Sequence, residues 1–395
     1  MVERRWGRPR ARRGAPDAGP FLIERAVNAR AAQPDVKVDA RRIDAVGRRR
    51  LYGRPMTRRF KVAVVGATGL VGREMLNTLA QREFPVDELV PLASPRSAGA
   101  RLFFAGREVE VQAVSEAAFA GVDVALFSAG AGPSREWCPV AARAGALVID
   151  NSSAWRMDPD VPLCVPEVNL DAARSRPKGI VANPNCSTIQ LLVALKPLHD
   201  AARITRIFVA TYQAVSGAGL GAVQSLEAQT RQLAAGAPIE RGSLPGQLAG
   251  NLLMSWKVDA ATLYQEEELK MIHETRKILG DETIRVSPTT VRVPVVNAHS
   301  EAVTIETERP ITPEQARELL AKAPGVTLMD DFARGVYPQP RDASGRDDVF
   351  VGRIREDLGR APGAHGLSLW IVGDNLRKGA ALNAVQIAEG LLLGR

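Results

Sequence analysis

Cysteine is scarce in this chain, with three in 395 residues. Cys138, Cys164 and Cys186 form no C-x-x-C pair and lie far from any histidine in sequence. That argues against a disulfide framework and against a cysteine-built structural zinc site, so no metal is expected. Free thiols fit a reducing cytoplasm, where one of them could do chemistry. Long apolar runs are also missing. None approaches the roughly 20 residues a bilayer-spanning helix needs, so no membrane association is expected.

The formal net charge of +8 is unevenly placed. Residues 1–55 carry 15 Lys and Arg against 6 Asp and Glu, which leaves 37 basic and 38 acidic residues of the 52 and 44 for the remainder. The body is near neutral, so a nucleic-acid partner is not expected of it. The leader, residues 1–59, lacks a helical or strand period and reads as disordered. It has no apolar core of a secretory signal. The absence of Ser and the presence of six acids argue against a transit peptide. Met56, just before the first clear strand, is the expected natural start.

The body alternates strands and helices. Strands are expected at Phe60–Val65, Glu88–Ala93, Val122–Ser128 and Ala146–Asp150, with helices at Arg73–Gln81 and Ser134–Ala144. That order implies an α/β fold of Rossmann type, a doubly wound parallel sheet. After residue 184 the pattern changes. A long helix at Ser187–Leu198 leads to strands at Arg206–Gln213, Thr283–Val295 and Glu301–Thr307, and a final helix spans Lys378–Leu393. Longer strands with fewer crossovers suggest a second, α+β domain.

The first strand enters Gly66-Ala67-Thr68-Gly69-Leu70-Val71-Gly72 and then a helix. Strand, glycine loop and helix together suit a pyrophosphate, because the backbone can approach the anion and the helix presents unpaired N–H groups. The spacing is G-x-x-G-x-x-G rather than G-x-G-x-x-G, and an ordinary strand-to-helix turn could share it. The second strand ends in Ser94-Pro95-Arg96-Ser97, without the acid that binds a ribose 2′-hydroxyl in NAD enzymes. Arg96 flanked by two hydroxyls suits a 2′-phosphate, so NADP is the expected cofactor.

Asn183-Pro184-Asn185-Cys186-Ser187-Thr188 opens the long helix. A thiol at a helix N-terminus is expected to ionise more readily, because N–H groups and the dipole favour thiolate. A thiolate can attack an aldehyde, lose hydride to a nicotinamide and leave a thioester for a second nucleophile. Of four histidines, His199 and His273 lie on helices among charges, and His365 lies in a glycine-rich loop. His299 lies in an apparent turn between two strands.

These motifs resemble the aspartate-semialdehyde dehydrogenase family from about residue 60 to the C-terminus. The likeness includes Asp150-Asn151-Ser152-Ser153, Val165-Pro166-Glu167-Val168-Asn169, Asn183–Gln190, Tyr212–Gly219, Arg292-Val293-Pro294 and Asp374–Gly379. It implies reversible, NADPH-dependent reduction of 4-phospho-L-aspartate to L-aspartate 4-semialdehyde, with release of phosphate, on the route to lysine, threonine, methionine and diaminopimelate. It implies Cys186 as nucleophile, His299 as general acid/base and Gln213 as the group that orients the adduct. Arg292 would bind the substrate carboxylate, Glu267 its ammonium, and Lys270 with Arg156 its phosphate, while Asn185 belongs to the substrate-binding set. Gly66, Thr68, Gly69, Leu70, Val71, Ser94, Arg96, Ser97, Ser128, Ala129, Gly130, Ser216, Gly217 and Asn375 match cofactor-contacting positions. The implied organisation is an NADP-binding domain at 60–184, a catalytic and dimerisation domain at 185–373, and a C-terminal helix at 374–395 returning to the first. A homodimer is implied. The alternatives are a reductase of N-acetylglutamyl phosphate or a non-catalytic binding module of the same fold. Four departures from the family stand out: Ala298 in place of glycine before the histidine, Cys164 in place of Val, Thr290 in place of Cys, and Gly132-Pro133.

Overall fold

The computed structural model describes residues 58–254 and 257–394. Residues 1–57 of the expected leader, with the Met56 start, lie outside the described residues.

Strands β1 (Phe60–Val65), β2 (Val86–Ala93), β5 (Gln112–Ala113), β6 (Val124–Phe127), β7 (Leu147–Asp150) and β8 (Ile180–Ala182) form one sheet in the order β5-β2-β1-β6-β7-β8. A separate hairpin pairs β3 (Arg101–Phe104) with β4 (Arg107–Glu110). Every pairing in the six-stranded sheet is parallel. β1 is buried at every position but Lys61. Parallel strands are covered on both faces, which is why β1 reads as a continuous apolar run without alternation. Helices α1 (Leu70–Gln81) and α2 (Ala131–Arg143) connect these strands. α2 starts earlier than Ser134, because Pro133 falls in the first turn, where no N–H is needed.

Helix α3 (Cys186–Ala202) leads into the second sheet. Ile189, Leu191, Leu192, Leu195 and Leu198 on it are all fully buried. The sheet contains β9 (Ile204–Gln213), β10 (Leu253–Met254), β11 (Arg285–Arg292), β12 (His299–Thr307), β13 (Val326–Leu328), β14 (Val349–Glu356) and β15 (His365–Gly373). Their order is β10-β11-β9-β12-β15-β14-β13, with parallel and antiparallel pairs mixed. On β12, His299, Glu301, Val303 and Ile305 face the core, while Ala302 and Thr304 are half-buried on the opposite face. Helices α4 (Leu220–Ala235), α5 (Glu266–Leu279) and α6 (Pro313–Leu320) complete this half.

The final helix differs from its expected span. Arg377–Ala381 is a π turn and only Leu382–Leu392, α7, is α-helical. Ala384, Val385, Ile387 and Ala388 of α7 pack with Met75, Leu76 and Leu79 of α1. Arg82, just past α1, pairs with Glu389 at 2.7 Å. The chain end is thereby fastened to the parallel-sheet half. Among the described residues no helix is long and apolar enough to cross a membrane.

Candidate active site

The glycine loop is tight where the fold requires it. A methyl group on Gly66 would lie 2.4 Å from the Ser128 carbonyl oxygen, and one on Gly72 would lie 2.1 Å from the Gly66 oxygen. These two glycines let β1, α1 and the end of β6 converge. Gly69 caps α1 with no side-chain acceptor, and no acid stands in the first turn. The leading N–H groups of α1, at Leu70 and Val71, are therefore left without a capping side chain, as an anion site requires. Ser94 and Arg96 are exposed at the end of β2, with no carboxylate among Ser94–Ser97 to repel a phosphate. Gly130, with Ser128 and Ala129 before it, starts α2 over open space. The residues thus fit a dinucleotide, and the missing acid fits one bearing a 2′-phosphate.

Across the sheet ends, Asn375 Nδ2 donates to Ser216 Oγ at 2.9 Å, and Ser216 Oγ donates to Asn297 Oδ1 at 3.0 Å. The Ala298 N–H donates to Asn375 Oδ1 at 2.9 Å. These bonds clamp the Ser216–Gly217 segment to the start of β12. Ala298 itself has φ +71°, the left-handed region that favours glycine. An alanine there costs about 1–2 kcal/mol. Ala298→Gly is expected to relieve that strain, less about 0.4–1 kcal/mol of added unfolded-state entropy. Thermal unfolding should show an unchanged or slightly raised Tm, and a Tm lowered by several degrees would contradict this.

A second group of candidate residues gathers around the start of α3. Asn185 caps α3: its Oδ1 accepts from the Ser187 and Thr188 N–H groups at 3.1 and 3.3 Å, a cap worth about 1 kcal/mol. Its Nδ2 donates to Glu267 at 2.7 Å and its backbone N–H to Glu274 at 2.6 Å. Gln213, the last residue of β9, donates to Ser187 Oγ at 3.1 Å and to Glu267 at 3.4 Å. Lys270 reaches Glu267 at 3.2 Å on the same face of α5. Arg292, the last residue of β11, donates to the Ala214 carbonyl at 2.7 Å. Cys186 is the first residue of α3, and a methyl group on Gly379 would lie 2.9 Å from its Cβ. That contact explains why glycine occupies the π turn.

Arg156 is more embedded than a simple phosphate ligand. Its guanidinium donates to Asn183 O, Asn151 O and Glu274, each at 3.0 Å. A guanidinium has five N–H donors, so two remain for an anion. Glu274 was not read from the sequence. It lies seven residues after Glu267, on the same face of α5, and that spacing was the available signal.

The surroundings of the half-buried Cys186 oppose the expected ionisation. Burial, followed by the nearby Glu267, pushes the thiol up to about 12, against the pull of Arg292, Arg156 and the Ser187 N–H. Desolvation outweighs the helix terminus. For Glu267, burial opposes ionisation, but Lys270, Asn185 and Arg292 overcome it and hold the carboxyl below its ordinary value. Burial and then Arg292 drive the His299 imidazole down to about 3. His299 is not in a turn but is the first residue of β12. Its Nδ1 accepts from the Ala214 N–H at 2.9 Å.

Cys138 and Cys164 are fully buried in the two main cores. Thr290 replaces the expected cysteine with a hydroxyl that donates to Gln265 at 3.0 Å, at the start of α5. Among the described residues no three His, Cys, Asp or Glu side chains gather as a metal site.

Residues 61–176 match the family described as semialdehyde dehydrogenase, NAD binding domain, and residues 195–378 match semialdehyde dehydrogenase, dimerisation domain. Aspartate-semialdehyde dehydrogenase of Aquifex aeolicus is 55% identical over 336 residues, spanning 84% of this chain and 98% of that protein. The crystal structure of aspartate semialdehyde dehydrogenase II from Vibrio cholerae, complexed with ASA, has a TM-score of 0.82 at 49% identity and covers 85% of this chain and 99% of that one. A Candida albicans aspartate semialdehyde dehydrogenase solved with NADP has a TM-score of 0.65 at 24% identity, covers 85% of this chain and 98% of that one, and shows the shared fold. With about half of the aligned residues identical over nearly the whole length of such enzymes, the chain belongs to the aspartate-semialdehyde dehydrogenase family and has that family's activity in the biosynthesis of aspartate-derived amino acids.

Proposed function

We propose that the enzyme reduces 4-phospho-L-aspartate with NADPH through a thioester on Cys186. The observation that carries this reading is the convergence on one thiol of an anion, Glu267, and two cations, Arg156 and Arg292, with a third cation, Lys270, paired to Glu267. Aspartyl phosphate has the complementary set: an ammonium, a carboxylate and a phosphoryl group.

Arg292, fixed by Ala214, would take the α-carboxylate, and Glu267, kept ionised, would take the ammonium. Lys270 and the two remaining donors of Arg156 would hold the phosphate. Gln213 and Asn185 fix the geometry around the sulfur through Ser187 and Glu267. Gly66, Thr68, Gly69, Leu70 and Val71 would hold the pyrophosphate, and Ser94, Arg96 and Ser97 the 2′-phosphate. Ser128, Ala129, Gly130, Ser216, Gly217 and Asn375 would line the path to the nicotinamide. When bound, the reduced nicotinamide supplies hydride. A thiol kept neutral until substrate arrives is protected from adventitious alkylation and oxidation, and a reducing cytoplasm is the compartment that suits it.

One face of the second sheet presents the exposed Phe208 and Tyr212 and the half-buried Trp370, with Tyr212 and Trp370 ring centroids 5.5 Å apart. A second copy of the chain seated on that face would complete a homodimer.

The test is NADP reduction by aspartate semialdehyde, with and without phosphate. The reading expects phosphate to be required and NADP to be preferred to NAD. Turnover unaffected by phosphate would remove the acyl-phosphate product. Arg96→Ala is expected to weaken NADP binding by about 10–100-fold, the scale of one lost charge-assisted hydrogen bond, and to leave NAD binding nearly unchanged. Equal weakening of both in a binding titration would remove Arg96 from the 2′-phosphate.

A further inference from the structure

Helix α5 sends four ionic side chains to one side. Glu267, Lys270, Glu274 and Lys277 recur at helical spacing, which keeps them on one face. Glu267 and Glu274 reach Asn185, Gln213 and Arg156, and Lys270 pairs with Glu267. Lys277, the last of the four, turns to the chain segment that carries Arg156.

That segment, residues 151–161, follows β7 with neither helix nor strand. Lys277 Nζ donates to the carbonyls of Arg156, Asp158 and Val161 at 2.8, 2.7 and 2.9 Å. An ammonium has three N–H donors, one for each carbonyl. A tethered cation thus sits in a cage of main-chain oxygens and gathers the loop around itself. Two backbone bonds tighten the same turn: the Asp158 N–H donates to Trp155 O at 3.1 Å, and the Val161 N–H to Asp158 O at 3.2 Å. The Asp158 carboxylate is held separately, by Lys178 at 2.6 Å.

The consequence falls on Arg156. Its guanidinium is oriented by Asn183 O, Asn151 O and Glu274. Its main chain is held by Lys277. Glu274 and Lys277 are neighbours on one face of α5, so a single helix grips both ends of the same arginine. The helix has anchors of its own. Glu268, in its first turn, accepts from the Gln265 and Thr290 N–H groups, each at 2.9 Å, and Met271 and Ile278 are buried in the core. Loss of the Lys277 ammonium therefore frees the loop and leaves α5 seated.

We propose that Lys277 is a positioning residue for the phosphate: its ammonium fixes the Arg156 main chain so that the two spare guanidinium N–H groups meet the anion. The proposal rests on the reading of Arg156 as a phosphate ligand. The substrate's carboxylate and ammonium are left to Arg292 and Glu267, and the cofactor to other elements, so the effect is confined to phosphate.

Lys277→Met keeps an unbranched stem and removes the ammonium. In NADP reduction by aspartate semialdehyde, its KM for phosphate is expected to rise about 10–100-fold, the scale of a misplacement of about 1 Å. The KM values for semialdehyde and NADP should stay near those of the wild type. Lys277→Ala should show the same split. Added n-propylammonium, which replaces the atoms from Cγ to Nζ, should lower the phosphate KM of Lys277→Ala toward the wild-type value. n-Propanol, with one donor in place of three, should not. The wild type should respond to neither. A Lys277→Met enzyme with the wild-type phosphate KM would overturn the proposal. So would an equal rise in all three KM values, the mark of a general loosening, or an amine no better than the alcohol. An Arg156→Gln enzyme with an unchanged phosphate KM would instead strike the phosphate reading of Arg156, and the role of Lys277 with it.

Discussion

Cys186→Ser is expected to lose more than about 10⁴-fold in turnover while binding NADP as the wild type does. A serine hydroxyl stays protonated at neutral pH and forms an ester, which is a poorer hydride acceptor than a thioester. The local fold should survive, because the cap at the start of α3 is made by the Asn185 side chain on the Ser187 and Thr188 amides, not by the sulfur. The phosphate loop at Gly66–Gly72 lies on a different element. Initial rates and an NADP binding titration on the same preparation read both quantities. Turnover within tenfold of wild type would leave no place for the thioester.

Glu274→Ala is expected to destabilise the protein by about 3–5 kcal/mol, the cost of leaving a buried charge without its partner. The carboxylate holds Arg156 at 3.0 Å and the Asn185 N–H at 2.6 Å. It thereby braces both the second phosphate cation and the turn before Cys186. Burial raises its carboxyl, against Arg156 and the Asn185 N–H, so the pair is expensive to bury and fragile when halved. Urea unfolding at fixed protein concentration should show the lowered midpoint, and Glu274→Gln, which keeps the volume and one acceptor, should fall between. A Glu274→Ala midpoint equal to wild type would mean that the turn is held some other way.

Much of the first half was legible because local chemistry and tertiary need agree there. β1 is apolar at nearly every position because both faces of the parallel sheet are covered there, and its glycines follow directly. The Asn185–Cys186 helix start was legible from turn residues alone. The charge on the sulfur was not, because desolvation and Glu267 come from elements brought in from far along the chain. His299 reads as a turn residue since Asn297 and Ala298 precede it, yet pairing with Gly373 of β15 draws it into a strand. The last helix reads as uniform from Lys378 to Leu393. Its π turn is imposed by the close contact of Gly379 with Cys186 and by Lys378, whose buried ammonium donates to Glu167, Asn383 and Gln386 at 2.5, 2.9 and 2.7 Å. Glu274 and the Ala214 amide act through tertiary partners that no local spacing reveals in full.

The most direct measurement is mass spectrometry of the acid-quenched enzyme after mixing with aspartate semialdehyde and NADP in the absence of phosphate. The account predicts an aspartyl group, labile to hydroxylamine, on the peptide that contains Cys186. A modification found on another residue, or NADPH formed at full rate with no acylated peptide, would contradict it.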